Sequence, residues 1–399
     1  MDLQDHQNLM EDRIIELPSL PREQIEKEGF GWYLEGENED YLSTDLIQIT
    51  KNEITDFKNA AEHCFKQYIK AFEHVRNNNL YDFLEIPKAM IPIIEHSYDN
   101  GHPLILSRFD FGGGVDDLPI KLIEMNADTC TMLPESSLFQ DWSYEAIRLQ
   151  TKGQFNYLHD DLVTQFQKLK KQFPEKEANL LLTSLGHVED RLNLDVLRRA
   201  AEEAGFFVGV ADLEDVDFAE EGVFLETMDG YIEFSFIYKL VPWEFIMYEE
   251  PELLEILSNF ILSNKLVVVS PAYSIVFQAK RIMSLLYNMF PNDEYLLPTF
   301  NDNSQLVGHE YVVKSNFGRL GENIEIIDRS GNTLAKNALV EDNSANIYQK
   351  FTALYQDEDD DYYQPSIFLS NGLPSGLSFR RKDGLIMDDD IDFVSHVIF

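Results

Sequence analysis

Ser107-Arg108-Phe109-Asp110 and, a few residues on, Lys121-Leu122-Ile123-Glu124-Met125-Asn126-Ala127-Asp128 make up the most informative stretch of this chain. LILSRFDF and IKLIEMNA read as two strands, and GGGVDDLP between them, rich in Gly and Asp, reads as a hairpin loop. Residues two apart on a strand share a face. Arg108 therefore faces with Asp110, and Glu124 with Asn126, so pairing the strands gathers two carboxylates, an amide and a guanidinium. Mg²⁺ takes oxygen ligands in an octahedron and commonly keeps water and phosphate oxygens among them. Asp110, Glu124 and Asn126 offer such oxygens, and Arg108 can balance phosphate charge with a bidentate fork. The same spacing also describes a solvated hairpin face with an ordinary Arg–Asp pair, because alternating charged residues are common on strands.

Working outward, residues 1–45 read as a polar arm ending in an aromatic anchor at Phe30, Trp32 and Tyr33. From Ile54 to Arg76 apolar residues recur at helical spacing, with Ala60, Ala61, Cys64, Tyr68 and Phe72 among them. IPKAMIPIIEHSYDNG continues as a second helix that stops near Asn100-Gly101, and residues 135–173 read as helical up to Pro174. A second region opens with the strand ANLLLTSL, then the helix LDVLRRAAEEAG closed by Gly205, then the strand FFVGVADL. This β–α–β order predicts a parallel sheet unit. GYIEFSFIYKL reads as one alternating strand running into Pro242-Trp243-Glu244, and LVVVSP as another.

The third region, from about Ala279, carries the helix KRIMSLLYNMF, the strand EYVVKSNFGR and further strands to the end. In it, Lys314 ends a strand and is followed by a loop holding Gly318 and Gly321. Glycines let backbone N–H groups approach phosphate oxygens and a lysine can neutralise them, although a plain β-turn has the same pattern. GxxxxGK[ST] is absent, so this is no Walker A loop. Lys280 stands at the start of an amphipathic helix, where lysines are ordinarily surface residues.

Composition narrows the partners. The 399 residues carry 71 acidic against 32 basic side chains, a net charge of −39. A surface of that sign repels nucleic acid and anionic membranes, which predicts neither as a partner, and it suits solubility or a cationic partner such as a polyamine. Cys64 and Cys130 form no CxxC or zinc spacing, which predicts a reducing compartment. Cys64 reads as a small core residue, and Cys130 as one that can approach a ligand without being a nucleophile. The N-terminal stretch has no basic and apolar leader pattern, and LVVVSPAYSIVF is interrupted by Pro271, so a cytoplasmic location is expected.

Taken together, these pieces resemble the synthetase domain of the glutathionylspermidine synthase family, an ATP-grasp-type ligase. The resemblance rests on Arg108-Phe109-Asp110, Glu124-Met125-Asn126-Ala127-Asp128, Pro242-Trp243-Glu244, Lys280 before a helix ending in Phe290-Pro291 and Leu296-Leu297-Pro298, and Lys314 through Asn323. It spans about residues 25–399, and the order of the separated motifs is more specific than any one of them. It implies a mixed α+β and α/β fold of ATP-grasp type with a pre-ATP-grasp-like α/β subdomain. The expected parts are an N-terminal arm (1–45), a metal-strand region (46–175), a pre-ATP-grasp-like substrate region (176–275) and a nucleotide-binding region (276–399).

The resemblance also implies roles. Asp110, Glu124 and Asn126 would hold Mg²⁺, and Arg108 would meet the transferring phosphoryl group. Lys280, Lys314, Gly318, Arg319, Gly321, Asn323 and Gln349 would bind ATP, and Arg380 or Arg381 would support the transition state, with spacing slightly favouring Arg380. Thr129, Thr131, Glu189 and Asp190 match positions near the peptide substrate. The implied activity is ATP- and Mg²⁺-dependent joining of a carboxylate to an amine through an acyl phosphate, the amine being a polyamine or another. On this reading Asp110→Ala costs metal-dependent turnover while sparing the fold. The departures are a longer acidic loop between the metal strands, Leu320 in place of a usual glutamate, Gln278-Ala279 before the first lysine and Ser395-His396 near the C-terminus. They keep open a nucleotide-binding homologue without ligase activity, or a peptide ligase using a different amine. The fused amidase domain of some family members is not expected.

Overall fold

A computed structural model describes residues 13–38, 40–228, 230–337, 340 and 343–399; the first part of the N-terminal arm lies outside them. Among the described residues the chain builds three principal sheets. The largest has eight strands and runs Ile14–Glu16, Leu42–Ile49, Asp392–Ile398, Leu373–Lys382, Tyr362–Ser370, Ser107–Gly112, Lys121–Asn126, with Tyr355–Gln356 attached beside Tyr362–Ser370. All its pairings are antiparallel except that of Leu42–Ile49 with Asp392–Ile398. Both ends of the chain thus meet in the sheet that carries the hairpin. The stretch that reads as an arm is consequently partly a sheet component: Ile14–Glu16 and Leu42–Ile49 find their partners by long-range pairing, which local polarity does not announce. The aromatic anchor does hold, with Phe30 and Tyr33 buried.

The second sheet is parallel, in the order Val267–Val268, Phe236–Lys239, Asn179–Ser184, Phe207–Asp212. It confirms the β–α–β unit, whose helix spans Val188–Glu203 and ends before Gly205 at φ +85°. The third is an antiparallel sheet of Thr299–Phe300, Asn346–Lys350, Tyr311–Ser315, Glu325–Ile327 and Thr333–Lys336. GYIEFSFIYKL is not one strand. It breaks at Ser235, so that Gly230–Phe234 joins a small antiparallel sheet and Phe236–Lys239 enters the parallel one. Residues 135–173 are likewise not helical throughout: a π turn at Glu135–Phe139 leads into Gln140–Ile147, and a break at 151–157 precedes the helix Leu158–Gln172.

The helix Lys51–Asn78 backs the large sheet. Thr50 caps it, its hydroxyl accepting from the Glu53 backbone while Glu53 returns a bond to the Thr50 N–H. Its buried stripe of Phe57, Ala61, Cys64, Tyr68, Phe72 and Val75 packs in one core with Phe109, Phe111, Ile367 and Leu377 of the sheet. Cys64 is therefore the core residue its spacing suggests. No helix among the described residues is long and apolar enough to cross a membrane.

The hairpin loop needs its glycines. Gly113 sits at φ +71°, and a Cβ there would lie 2.3 Å from the Pro119 carbonyl oxygen. Backbone cannot yield as a side-chain tip does. Gly113→Ala should therefore cost about 2 kcal/mol or more, the left-handed penalty plus the clash, read as a lower urea midpoint at unchanged slope. An unchanged midpoint would mean the loop relaxes freely.

Candidate active site

Register decides what the hairpin can do. Arg108 lies opposite Asn126 and Asp110 opposite Glu124, so the four side chains form a block on one face. Asp110 is 1% exposed. Its Oδ1 accepts from Arg108 Nε at 2.8 Å and from the Ser366 hydroxyl at 2.7 Å. Its Oδ2 accepts from the second Arg108 nitrogen at 3.1 Å and from Asn126 Nδ2 at 2.9 Å, and pairs with Arg380 at 2.8 Å. Burial alone would raise this carboxyl, but Arg108 and Arg380 outweigh it and hold Asp110 well below the usual carboxylate range. The solvated hairpin face is thereby excluded.

Glu124 takes its partners from the third sheet and the turn before the helix Ile282–Met289. Its Oε2 lies 3.6 Å from Lys280 Nζ and 3.7 Å from Lys314 Nζ. Burial works to raise Glu124, and the two ammonium groups bring it down. Lys314 is itself lowered by burial, with Glu124 opposing. Lys280 also donates to the Gly318 carbonyl at 2.6 Å, which ties the glycine loop to the site. Gln349 spans from the third sheet to the Ile123 carbonyl at 3.2 Å. Gly321, at φ +70°, lets the loop pass within 2.7 Å of the Met387 carbonyl oxygen as measured from a Cβ built on it. Leu320 takes a left-handed φ of +48° and is exposed.

These groups surround a cavity of about 1080 Å³. Arg108, Lys280, Lys314, Arg319 and Arg380 line it in a chain whose net charge is −39. Glu124, Asn126, Gly318, Gly321 and Gln349 line it too, as do Thr129, Thr131, Glu189 and Asp190. Arg319 joins the glycine loop to Pro242-Trp243-Glu244 and the end of the hairpin by bonding Glu244 and the Thr129 hydroxyl. Arg108 donates to the Thr131 carbonyl at 3.3 Å.

Three expected site residues stand apart from the cavity wall. Asp110 is sealed beneath the two arginines. Asn323 turns its Oδ1 to the Val340 N–H at 2.9 Å, a loop-closing bond away from the cavity. Arg381 points to the opposite face of its strand, where it meets Asp45, Asp392 at 2.6 Å and Asp361 at 3.7 Å. Consecutive strand residues face opposite ways, so Arg380 lines the cavity while Arg381 is held among three aspartates outside it.

As a test of metal fit, no group of three or more His, Cys, Asp or Glu gathers for a metal among the described residues. What the hairpin presents is Asp110 and Glu124 in register with an amide beside them. Glu124 and the Asn126 amide are the hard-oxygen donors that reach the cavity and suit Mg²⁺ sharing its shell with phosphate, whereas Asp110 would join them only on release from Arg108 and Arg380. Cys130 is buried and burial pushes its thiol up to about 12, away from the thiolate that a nucleophile needs.

Several lining residues escape a reading by spacing. Trp32 and Tyr41 come from the N-terminal stretch, and Glu135 opens the π turn. Acidic residues at helix starts are common, and nothing around Glu135 in the sequence marks it. Only the fold brings Tyr33 and Tyr41 onto its carboxylate.

With this geometry in hand, comparison with known proteins is informative. The family model described as "Glutathionylspermidine synthase preATP-grasp" matches residues 13–399. A Haemophilus influenzae protein named "Putative acid–amine ligase" is 27% identical over 325 residues, 79% of this chain and 79% of that protein. The Escherichia coli "Bifunctional glutathionylspermidine synthetase/amidase" is 23% identical over 366 residues, and the match covers 86% of this chain but 58% of that protein. Among solved structures, an apo glutathione synthetase-like effector from Globodera pallida has a TM-score of 0.51 at 10% identity, covering 90% of each chain, which supports the fold alone. The family match runs across residues 13–399, and this chain belongs to the glutathionylspermidine synthase preATP-grasp family.

Proposed function

We propose that the chain is an ATP-dependent carboxylate–amine ligase that forms an amide through an acyl phosphate. The observation that carries this reading is the cavity's two-sided charge. Arg108, Lys280, Lys314 and Arg380 supply cations against phosphate and carboxylate oxygens. Glu189 and Asp190 supply carboxylates, both raised by burial, where an ammonium group can sit. In a chain at −39, four cations gathered on the two carboxylates Asp110 and Glu124, at one end of a cavity whose wall is otherwise mainly acidic, speak for a bound polyanion.

Asp110, Glu124 and Asn126 would hold Mg²⁺, which when bound neutralises phosphate charge and orients the transferring group. For Asp110 to serve, Arg108 and Arg380 would have to yield its oxygens. The substrate carboxylate attacks the γ-phosphorus of ATP, the bond to the β–γ bridging oxygen breaks and ADP departs, and Arg108, Arg380, Lys280 and Lys314 stabilise charge on the oxygens in transit. The amine then attacks the acyl carbon and phosphate leaves. Gly318 to Asn323 would form the cover that keeps water out. It is already strapped by Asn337, whose Nδ2 contacts the Gly321 carbonyl at 3.2 Å and Asp388 at 3.1 Å. The similarity to glutathionylspermidine synthetases makes glutathione and spermidine the first pair to try, beside other peptides and amines.

The test is ADP release with ATP and Mg²⁺ across that panel. Release that needs both a carboxylate and an amine, with amide product by mass, is the expected result. A melting temperature raised by ATP without any turnover would overturn the ligase reading and leave a nucleotide-binding protein.

A further inference from the structure

Glu135 is a cavity-lining carboxylate that the scheme above leaves without a task. It is 2% exposed. One oxygen, Oε1, accepts from the Tyr33 hydroxyl at 2.9 Å and from the Tyr41 hydroxyl at 2.9 Å. The other, Oε2, is buried and has no hydrogen-bond partner among the described residues. A buried carboxylate with both oxygens needed for anchoring would satisfy both. The tyrosines take up one oxygen of this cavity-lining residue and leave the other short of a side-chain donor.

The neighbourhood says what binds. Glu189, on the helix Val188–Glu203, lines the same cavity and its charge helps raise Glu135 and Tyr41; it is itself raised by burial and then by Asp190 and Asp389, with His187 opposing. On the other side, Tyr41 feels Arg380, the guanidinium that reaches Asp110. Glu135 thus shares one cavity with a cluster of carboxylates, which draws an ammonium, and with the cationic floor, where the activated carbonyl would lie. Burial, with a smaller push from Glu189 and opposed by its own backbone N–H and the tyrosine hydroxyls, takes Glu135 up to about 7. A base with that affinity is half ionised at neutral pH and takes a proton far more readily than an ordinary carboxylate does.

We infer that the Glu135 carboxylate, through Oε2, is the proton acceptor for the incoming amine. This rests on the ligase reading above. An alkylammonium has no lone pair and cannot attack. It gives one proton to Glu135; the free amine then forms the C–N bond to the acyl carbon. As the C–O bond to phosphate breaks, the second proton leaves nitrogen with the departing phosphate. Glu135 returns its proton to solvent when product leaves. Tyr33 and Tyr41 act as positioning residues that hold Oε1 and set the affinity of the carboxylate for the proton.

The experiment compares two nucleophiles with ATP, Mg²⁺ and glutathione: spermidine, which arrives protonated, and hydroxylamine, which is neutral at pH 7. For Glu135→Gln, amide formation should fall ~10²-fold or more while hydroxamate formation stays within about threefold of wild type. The wild-type pH profile for spermidine should show a limb near 7 that the variant lacks. Tyr41→Phe removes a donor to the charged form, so it should move that limb to higher pH. Equal loss of amide and hydroxamate, or amide formation unchanged, would overturn the inference. If Glu135→Gln does not fold, Tyr33→Phe and Tyr41→Phe carry the test, and a limb unmoved in both overturns it. A wild-type chain that forms neither product removes the ligase reading itself, and this inference with it.

Discussion

Arg380→Met should lower ATP-dependent turnover by ~10²–10³-fold, the scale for losing one preorganised electrostatic donor at a transferring group. Arg381→Met, one residue on, should leave turnover within about threefold and instead lower stability by about 1–3 kcal/mol. The strand Leu373–Lys382 turns the two guanidiniums to opposite faces. Arg380 reaches Asp110 at 2.8 Å and Gln364 inside the cavity. Arg381 is held by Asp45, Asp361 and Asp392 on the far side. In Arg380→Met, Arg108, Ser366 and Asn126 still hold Asp110, so the loss should appear chiefly in kcat. Steady-state ADP release and thermal melts on both variants decide the matter. Comparable kinetic losses in the two would refute the assignment of Arg380 to the site.

Asp110→Ala should do more than stop metal-dependent turnover: it should destabilise the fold by about 3–5 kcal/mol. Removing this carboxylate leaves Arg108, 6% exposed, and its neighbour Arg380 as buried cations without their common partner. The expectation that such a change spares the fold treats Asp110 as an exposed ligand, and burial overturns it. Asp110→Asn keeps the shape and isolates the charge; it too should lose turnover. The pH dependence has a definite sign. Asp110 is held below its unfolded value, near 3.9 for a free Asp. Its stabilisation is therefore complete above that value and is lost as pH falls toward the lower folded one. Wild type should lose stability on acidification more steeply than Asp110→Asn. A denaturation midpoint of Asp110→Ala equal to wild type would show that the block around Asp110 is not what holds this end of the sheet.

Much of the site was legible because strand geometry is local. A period of two puts Arg108 with Asp110 and Glu124 with Asn126, and a Gly-rich connection predicts that the two strands pair. The β–α–β unit was legible for the same reason: its apolar runs and the Gly205 cap are signals within one element. The single strand expected over GYIEFSFIYKL failed because alternation continues across Ser235 while the backbone changes sheets there. The sheet partners of Ile14–Glu16 and Leu42–Ile49 lie at the far end of the chain or beside each other, and no window of sequence contains that pairing.

Local signals carry the chemical kinds present and their order: paired oxygen donors on one hairpin, a lysine before a helix, a lysine before a glycine loop, arginines on a C-terminal strand. These depend on backbone periodicity and turn chemistry, which act over a few residues. Only the tertiary structure decided that Lys280 and Lys314 converge on Glu124, that Arg380 rather than Arg381 enters the cavity, and that Asp110 lies sealed beneath two guanidiniums. It alone brought Tyr33 and Tyr41 onto Glu135. Those outcomes depend on the register between distant strands and on how deeply each charge is desolvated, and both are properties of the packed chain rather than of any segment of it.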